Sequence, residues 1–386
     1  MKEHIYLSLP MLEKEFDSQD MIEGFPGSLT GNFTDCLMLE NAVYQSDDHT
    51  MLEQILHMYR GESGTGDGWA PGYSLMDHLS GADQPREVEY ARYWHGYLVL
   101  LKPLLFLTTF NSIRLFAAAL QLLLVGLVVM ACARRGEDFL GKAFLLSMPF
   151  LYYFGLYASL SLSICFYVAT GLLLVQLKWD GQIRSQGWYG EFFVLAGMLT
   201  SYFDLLTYPL ITLGFPLCVC LYLDESGAGK GLRRLVAYSV EWGVGYLGLW
   251  AFKWILSDLL TGGNTIKDGI DTILTRTDAA ADSTRAAGFF AVVRQNLSVY
   301  CNWGFFLLLA GIAVWLIFHI CRRHKMIGRK SVLEGSLLLL VALFPFVWFF
   351  FTQNHSEQHW IYTFKIFSVS AFAGICGVGR ICGYGS

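Results

Sequence analysis

Charged residues are scarce in this sequence. Asp, Glu, Lys and Arg make up 15% of the 386 residues, whereas an ordinary soluble domain carries about 25%. The net charge is −5, and the basic residues are divided among short connectors rather than gathered in one run. Nucleic-acid binding needs a massed basic surface. The sequence therefore argues against a nucleic-acid partner and against a typical soluble fold.

Paired cysteines are also lacking, although the chain has nine cysteines. No two of them stand in a C-x-x-C spacing, and most lie in apolar segments. Structural zinc sites and the disulfide frameworks of small secreted proteins depend on regularly spaced cysteines. We therefore expect buried or lipid-facing thiols rather than a zinc site or a disulfide framework.

The first 20 residues lack an apolar core long enough for a signal peptide or a first membrane span. Without such a segment, about 110 residues would have to cross a membrane ahead of the first span. We therefore expect that an original first helix is missing from this chain.

Apolar residues are abundant: 54% of the chain is hydrophobic, 16% is aromatic and the mean hydropathy is +0.43. This composition predicts an all-α polytopic membrane protein. Residues 1–110 are expected to form an extracytoplasmic acidic loop region with amphipathic interfacial helices. Residues 111–386 are expected to form a transmembrane domain with an outer loop at 257–302. About nine stretches have spanning or near-spanning length: 111–132, 143–158, 159–177, 191–206, 207–223, 236–256, 303–320, 332–352 and 360–380.

Every second connector between these stretches is basic. The positive-inside rule places such connectors in the cytoplasm. The alternation then places the other connectors on the extracytoplasmic side and the C-terminus in the cytoplasm. Residues 1–110, the turn near Asp204, the loop 257–302 and TQNHSEQHW (352–360) should share the outer face. The basic residues that set this topology are Arg134, Arg135, Lys142, Lys178, Arg184, Lys230, Arg233, Arg234 and the run CRRHKMIGRK at 321–330.

Four aspartates on the predicted outer face are candidates for acid–base chemistry. Asp35 stands between Phe33 and Leu37, so its carboxylate should have a partner; a functional and a structural role are both open. Asp47 and Asp48 are adjacent, and a pair of carboxylates can tune each other's pKa, but such pairs are often simply solvated. Asp204 lies in the apolar LTSYFDLLTYPL and is either a functional group or a helix cap.

Three basic or titratable side chains near the same face could meet a phosphate. Arg92 and His95 lie in ARYWHGYLVLLKPLLFL (91–107), which is amphipathic at its start and apolar afterwards. This stretch predicts an interfacial helix, and the two side chains either anchor it or line a site entrance. Lys365 could hold a lipid phosphate or extend its amine to the membrane surface.

TQNHSEQHW places His355, Glu357 and His359 two residues apart. On a strand all three would share a face, whereas on a helix the two histidines align and Glu357 points away. Metal-binding helices usually carry H-E-x-x-H, so acid–base work or phosphate hydrogen bonding by histidine is favoured over a metal site. A merely polar turn is the alternative.

The organisation resembles the GT-C superfamily of integral-membrane glycosyltransferases, which use polyprenyl-phosphate-linked sugars. The resemblance extends over nearly the whole chain and rests on the many predicted spans, the acidic N-terminal loop and four phrases. These phrases are GNFTDCLML, ARYWHGYLVLLKPLL, SYFDLLTYP and NHSEQHWIYTFK.

The resemblance implies transfer of a sugar from a polyprenyl phosphate to a glycan or protein acceptor of the cell envelope, at the outer face of a bacterial plasma membrane. It implies an acid of the first outer loop as the base, with Asp35 first and Asp47 or Asp48 in reserve. It also implies basic and histidine side chains around the donor phosphate; by position these are Arg92, His355, His359 and Lys365. His95, Asp204 and Glu357 complete the expected set of donor-phosphate and substrate-binding residues. A divalent cation such as Mg²⁺ or Mn²⁺ is used by some members and not by others.

Three other functions remain open at this point. A transporter or flippase of lipid-linked glycans should carry charges near the bilayer midplane in symmetric halves, and we find no internal repeat. A membrane acyltransferase should depend on His355 or His359 and dispense with Asp35. A structural membrane subunit should tolerate the loss of any single outer acid or histidine.

Overall fold

The computed structural model describes the chain apart from a few short segments. The predicted basic run at 321–330 lies largely outside the described residues. The segments that are not described are 16–18, 31, 64–70, 82–85, 225, 280–283, 323–327 and 385–386.

Short helices and two small antiparallel sheets make up the part of the chain before residue 108. In the second sheet, Arg60 pairs with Val88 and Glu62 pairs with Arg86. The elements are α1 Lys2–Tyr6, α2 Leu9–Leu12, a 3-10 turn Glu13–Glu15, β1 Gln19–Asp20, a 3-10 turn Pro26–Ser28, β2 Leu29–Thr30, α3 Phe33–Val43, α4 Met51–His57, β3 Arg60–Glu62, α5 Pro71–Ser80, β4 Arg86–Val88 and α6 Leu98–Leu107.

The predicted interfacial helix over 91–107 is only half a helix. Helix α6 starts at Leu98, and residues 91–97 are irregular, with His95 in the left-handed region at φ +53°. The backbone N–H of Gly96 donates to the Tyr202 carbonyl at 2.9 Å, and a Cβ on Gly96 would lie 2.3 Å from the Tyr202 ring. This close backbone approach requires glycine and fastens the segment to the helical bundle, so a continuous helix cannot form there.

Longer helices dominate the remainder of the chain. They are α7 Phe110–Arg134, α8 Asp138–Ser147, α9 Leu160–Gln186, α10 Tyr189–Phe203, α11 Leu210–Tyr222, α12 Ala228–Thr261, α13 Thr265–Thr277, α14 Arg285–Ser298, α15 Trp303–Arg322, α16 Arg329–Val341, α17 Phe344–Phe351, α18 Gln353–Gln358, α19 Trp360–Thr363 and α20 Phe367–Ile381, with 3-10 turns at Met148–Leu151, Tyr153–Ala158 and Phe364–Ile366.

The prediction of a helical membrane protein is confirmed in this coarse form. Among the described residues, four helical segments are long and apolar enough to span a membrane: α7, α9, Arg329–Phe351 and Trp360–Ile381. A fifth arises if α14 and α15, which meet at an 89° bend, are counted as one span. Nine spans are not confirmed by the helices of the described residues, and that number stays a prediction. One reason is local: residues 143–158 are broken into α8 and two 3-10 turns around Pro149 and the left-handed Tyr152.

The two ends of helix α9 lie in chemically different surroundings. At its C-terminal end, Asp180 binds Arg135 at 3.3 Å and Arg184 at 2.9 Å, while Asp224 binds Arg184 and Arg234. We call this the Asp180 end, and it gathers arginines from three of the basic connectors. At the N-terminal end, the Tyr208 hydroxyl contacts the Leu162 carbonyl and Asp204 lies close by; we call this the Asp204 end.

Helices α10 and α12 pack in opposite directions and touch backbone to backbone. A Cβ on Gly245 would lie 2.0 Å from the Val194 carbonyl oxygen, and one on Gly197 would lie 2.1 Å from the Trp242 carbonyl oxygen. Only glycine fits at either position. The contact fixes α12, which carries one wall of the site described below.

Gly245→Ala is therefore expected to destabilise the protein by about 1–3 kcal/mol or more, because the added methyl group forces the two backbones apart. Gly248 on the same helix is the matched control, since a Cβ added there would have nothing within 4 Å. Gly248→Ala should leave the melting temperature in detergent unchanged or raise it. Equal melting temperatures for the two variants would contradict the close packing.

Candidate functional site

A groove of about 360 Å³ opens beside α12. Its walls come from α12, α13, the end of α17 and the irregular segment before α6, which are separated in sequence. The lining residues are Arg92, Tyr93, Leu206, Trp242, Gly243, Tyr246, Leu247, Trp250, Trp254, Gly269, Thr272, Ile273, Arg276, Thr277, Trp348, Phe351 and Thr352. Most of this surface is apolar and aromatic, and two arginines are its cations. Such a mixture is typical of ligand sites.

Four aromatic side chains form a ladder along the α12 wall. Trp242, Tyr246, Trp250 and Trp254 recur every four residues, so they share one helix face. Successive ring centroids are 4.8, 4.9 and 6.2 Å apart. The ladder covers roughly 18 Å at the helical rise.

The two ends of the ladder are anchored, but its middle is not. The indole N–H of Trp242 donates to Thr212 Oγ1 at 3.1 Å, and that of Trp254 donates to the Arg92 carbonyl at 3.0 Å. The Tyr246 hydroxyl and the Trp250 indole N–H have no hydrogen-bond partner in the described part of the chain. These side chains are 3% and 7% exposed. A buried polar atom without a partner is costly, so both would gain from a polar ligand in the groove.

Arg276 differs from Arg92, the other arginine of the groove, in its contacts. Its guanidinium donates to Nδ1 of His355 at 2.5 Å, and no carboxylate of the described residues lies within ion-pair distance of it. Arg92, in contrast, is paired with Asp268, whose Oδ2 lies 3.1 Å from Arg92 Nη1. Arg276 therefore brings to the groove a positive charge that the described protein groups do not neutralise, and an anionic ligand would do so.

The run TQNHSEQHW is helical, being made of α18 and the start of α19. The rings of His355 and His359 accordingly share a side, with centroids 4.8 Å apart, and His359 stacks on Tyr362 at 5.3 Å. Glu357 is half-buried on the same short helix, two residues from either histidine. The structure thus has the helical alternative, in which the two histidines align without Glu357.

Both histidines are held neutral by their surroundings. Burial, reinforced by the neighbouring Arg276, lowers the pKa of His359 to about 4 and lowers the pKa of His355 well below its usual value. Since His355 Nδ1 accepts from Arg276, a neutral His355 ring carries its proton on Nε2. An anion that neutralised Arg276 would remove one cause of these low values and favour proton uptake at His359.

His95 lies behind the groove wall rather than in it. Its Nδ1 faces the Tyr97 hydroxyl at 3.0 Å and its Nε2 faces the Tyr90 carbonyl at 2.8 Å. Burial, with a smaller effect from Lys253, lowers its pKa well below the usual value. Lys253 itself contacts the Tyr93 carbonyl. These contacts fix the segment that presents Arg92 to the groove.

Asp204 and Lys365 are both buried and engaged with the protein. The Asp204 carboxylate accepts from the Thr207 backbone N–H at 2.9 Å and from the Thr207 hydroxyl, which closes the turn ahead of α11. It thereby holds Leu206, a groove residue in the left-handed region at φ +61°. Lys365 donates to the Leu151 carbonyl at 2.9 Å and lies over the Phe364 ring, and neither residue lines the groove.

Asp35 is fully buried and caps the start of α9 from outside that helix. Its carboxylate accepts from the backbone N–H groups of Leu160 and Ser161, each at 2.9 Å, and from the Ser159 hydroxyl at 3.2 Å. Arg114 lies 3.7 Å away. These contacts describe a carboxylate that stabilises a helix N-terminus. Its role as a base stays a prediction, as do those of Asp47 and Asp48, which are exposed on the segment after α3.

Asp35→Ala is expected to lower stability by about 1–3 kcal/mol, since it strips the buried N–H groups at the start of α9 of their acceptor. Asp48→Ala removes the same charge from an exposed position and is the control. Melting temperatures of the two variants in detergent provide the comparison. An Asp35→Ala variant as stable as the control would rule out the capping role.

Sequence reasoning missed Arg276 and the aromatic ladder. The ladder had a visible signal, because W-x3-Y-x3-W-x3-W within one predicted span places four rings on one face. Arg276 had none, since its contact with His355 joins residues 79 positions apart in sequence.

Across the described residues, no group of three His, Cys, Asp or Glu side chains is arranged to hold a metal ion. Comparison with family models, curated proteins and solved structures found no match to this chain.

Proposed function

We propose that the chain is a GT-C-like glycosyltransferase that moves a sugar from a polyprenyl-phosphate donor to a cell-envelope glycan or protein. The observation that carries the proposal is the groove, which has an apolar aromatic wall. Within the described part of the chain, two of its buried polar atoms have no hydrogen-bond partner and Arg276 has no neutralising carboxylate. A lipid-phosphate-linked sugar has three matching parts: an apolar chain, a sugar and an anionic phosphate.

The apolar chain suits the wall of the groove that faces away from the bundle. Leu247 and Phe351 line the groove and are 56% and 59% exposed, so the groove is open on that side. A lipid can enter sideways through such an opening without leaving the bilayer. Because the chain stays in an apolar surrounding throughout, its contacts with these residues favour binding through van der Waals packing rather than through transfer out of water.

The sugar suits the ladder. Aromatic faces pack against the C–H faces of a sugar ring, while the Tyr246 hydroxyl and Trp250 N–H supply hydrogen bonds to its hydroxyls. The phosphate suits Arg276, whose planar guanidinium can bind two phosphate oxygens. His355 and His359 lie beside that position and can donate further hydrogen bonds.

The proposed reaction breaks the bond between the sugar's anomeric carbon and the phosphate oxygen. The electron pair leaves with the phosphate, and positive groups near that oxygen stabilise the developing charge. The acceptor hydroxyl attacks the same carbon and must lose its proton to a base. The GT-C resemblance implies an acid of the N-terminal region for this role, with Asp35 first and Asp47 or Asp48 in reserve.

The finer topology belongs to the same proposal. It has about nine membrane crossings in a bacterial plasma membrane, the Asp204 end and the groove on the extracytoplasmic side, and the Asp180 end with the C-terminus in the cytoplasm. Its support is the collection of arginines at the Asp180 end, as expected for a cytoplasmic surface. A divalent ion such as Mg²⁺ or Mn²⁺ remains compatible with it.

The proposal is tested by incubating membranes that contain the protein with radiolabelled polyprenyl-phosphate sugars. Transfer of label to an acceptor in these membranes supports the proposal if the amount transferred rises in proportion to the amount of protein present. Binding of such donors without transfer would favour a lipid-glycan transporter instead. If no donor of this class is bound or used, the proposal is wrong.

A further inference from the structure

Asp268 lies at the rim of the groove, on the helix that also carries Arg276. It directly precedes Gly269, which lines the groove. Both oxygens of its carboxylate accept from Arg92 Nη1, at 3.3 and 3.1 Å. Its side chain is 51% exposed. The carboxylate is thus open to solvent and held against a groove residue.

The other candidate acids are placed differently. Asp35 and Asp204 are buried, and protein hydrogen bonds engage both oxygens of each carboxylate. Asp47 and Asp48 are exposed but do not line the groove. Of these five carboxylates, Asp268 combines access for an acceptor with contact to the groove.

We propose that Asp268 is the base that takes the acceptor's proton, and that donor phosphate activates it by drawing Arg92 away. This inference rests on the proposed glycosyl transfer. It moves the reacting carboxylate from the N-terminal region to α13, so that one helix carries both the base and the phosphate-binding Arg276.

The pairing with Arg92 gives the activation a physical basis. Arg92 Nη1 donates to both oxygens of the Asp268 carboxylate and so keeps them from accepting a hydrogen bond from an acceptor hydroxyl. A phosphate in the groove competes for the same guanidinium, which binds phosphate and carboxylate with similar forked geometry. A carboxylate released from its arginine has both oxygens free to accept from the acceptor hydroxyl, so donor binding precedes proton removal.

Each atom in the step has a destination. The acceptor's O–H proton moves to an Asp268 oxygen, and the acceptor oxygen bonds to the anomeric carbon. The bond from that carbon to the donor's phosphate oxygen breaks, and its electron pair stays with the phosphate. The protonated carboxyl then releases its proton to solvent, to which it is exposed.

The test compares Asp268→Asn, Asp268→Glu and a control in the transfer assay with radiolabelled polyprenyl-phosphate sugar. The control is Asp271→Asn, which removes the same charge from an exposed position three residues along α13. Loss of a general base should lower the kcat of Asp268→Asn by about 100-fold or more. The KM for the donor should stay the same or fall, because Arg92 is then free for phosphate. Asp268→Glu should retain much of the activity, and Asp271→Asn should match wild type.

Other outcomes decide against the assignment. Wild-type kcat in Asp268→Asn, or a change confined to KM, would mean that Asp268 only positions Arg92 or does nothing. Binding of the same donor can be measured by the quenching of tryptophan fluorescence from the ladder. This measurement distinguishes a misassigned base from a wrong proposed function. If wild type transfers sugar and Asp268→Asn does so equally, only the base is misassigned. If wild type neither binds nor transfers sugar from such donors, the proposed function fails and the assignment of Asp268 fails with it.

Discussion

Replacing Arg276 with alanine is expected to reduce sugar transfer by roughly 100- to 1,000-fold, the usual effect of removing one group that stabilises developing negative charge. Arg276 lies on the groove and contacts His355 rather than a carboxylate. A bound phosphate would therefore meet a cation whose charge no described protein group already satisfies. Loss of the guanidinium removes that interaction both from the bound donor and from the departing phosphate. Kinetics of labelled transfer in membranes measure both changes.

Two companion variants make the Arg276 result specific. Arg276→Lys keeps the charge but loses the forked geometry, so its activity should fall between wild type and Arg276→Ala. Arg294→Ala removes an arginine from the neighbouring helix α14 that does not line the groove, and it should be fully active. Arg276→Ala with wild-type kinetics, or an equal loss in Arg294→Ala, would show that Arg276 has no special role.

Arg380→Ala should cause the largest loss of stability, about 3–5 kcal/mol, because it leaves a buried carboxylate without its main partner. Arg380 is 2% exposed, and its guanidinium lies 3.0–3.1 Å from Glu334 Oε2. It also donates to the Asp224 carbonyl at 3.4 Å. The pair joins α16 to α20 at the Asp180 end. Thermal unfolding in detergent, or chemical unfolding, measures the loss.

The double variant Arg380→Met/Glu334→Leu separates a broken ion pair from a general packing defect. Removing both charges takes away the uncompensated carboxylate, so the double variant should be more stable than Arg380→Ala. Compared with the single variants Arg380→Met and Glu334→Leu, the double variant should lose less stability than the sum of the two losses, which is the signature of a direct interaction between the side chains. A double variant that is less stable than the single one would contradict the account of this pair.

Local features of the fold could be predicted from the sequence because hydrophobicity is a local property. The stretches 111–132 and 159–177 correspond to α7 and the first part of α9, since long apolar runs favour continuous helices. The stretch 143–158 is also apolar, but Pro149 helps to break it into shorter turns. The predicted outer loop 257–302 contains α13 and α14. These helices are polar on their outer faces, so the polar composition of this stretch did not indicate helices that pack on one side only.

The candidate site was only partly predictable because some of its residues come together only through long-range packing. Arg92, His355 and His359 were identified from their own chemistry and lie at or beside the groove. Arg276 and Asp268 were not, because α13 must fold back along α12 before they meet residues from other parts of the chain. Glycine at 245 gave no local sign that two helix backbones touch there. Such long-range contacts depend on packing rather than on composition.

The central claim is that the groove along α12 binds a polyprenyl-phosphate-linked sugar. The most direct measurement uses such a donor with a photoreactive group on its lipid chain, crosslinked to the wild-type protein in membranes and mapped by mass spectrometry. We predict crosslinks on the α12 and α13 walls, around Leu247 and Ile273, that are lost in Arg276→Ala and competed by unlabelled polyprenyl phosphate. Crosslinks confined to other helices, or unaffected by competitor, would contradict the account.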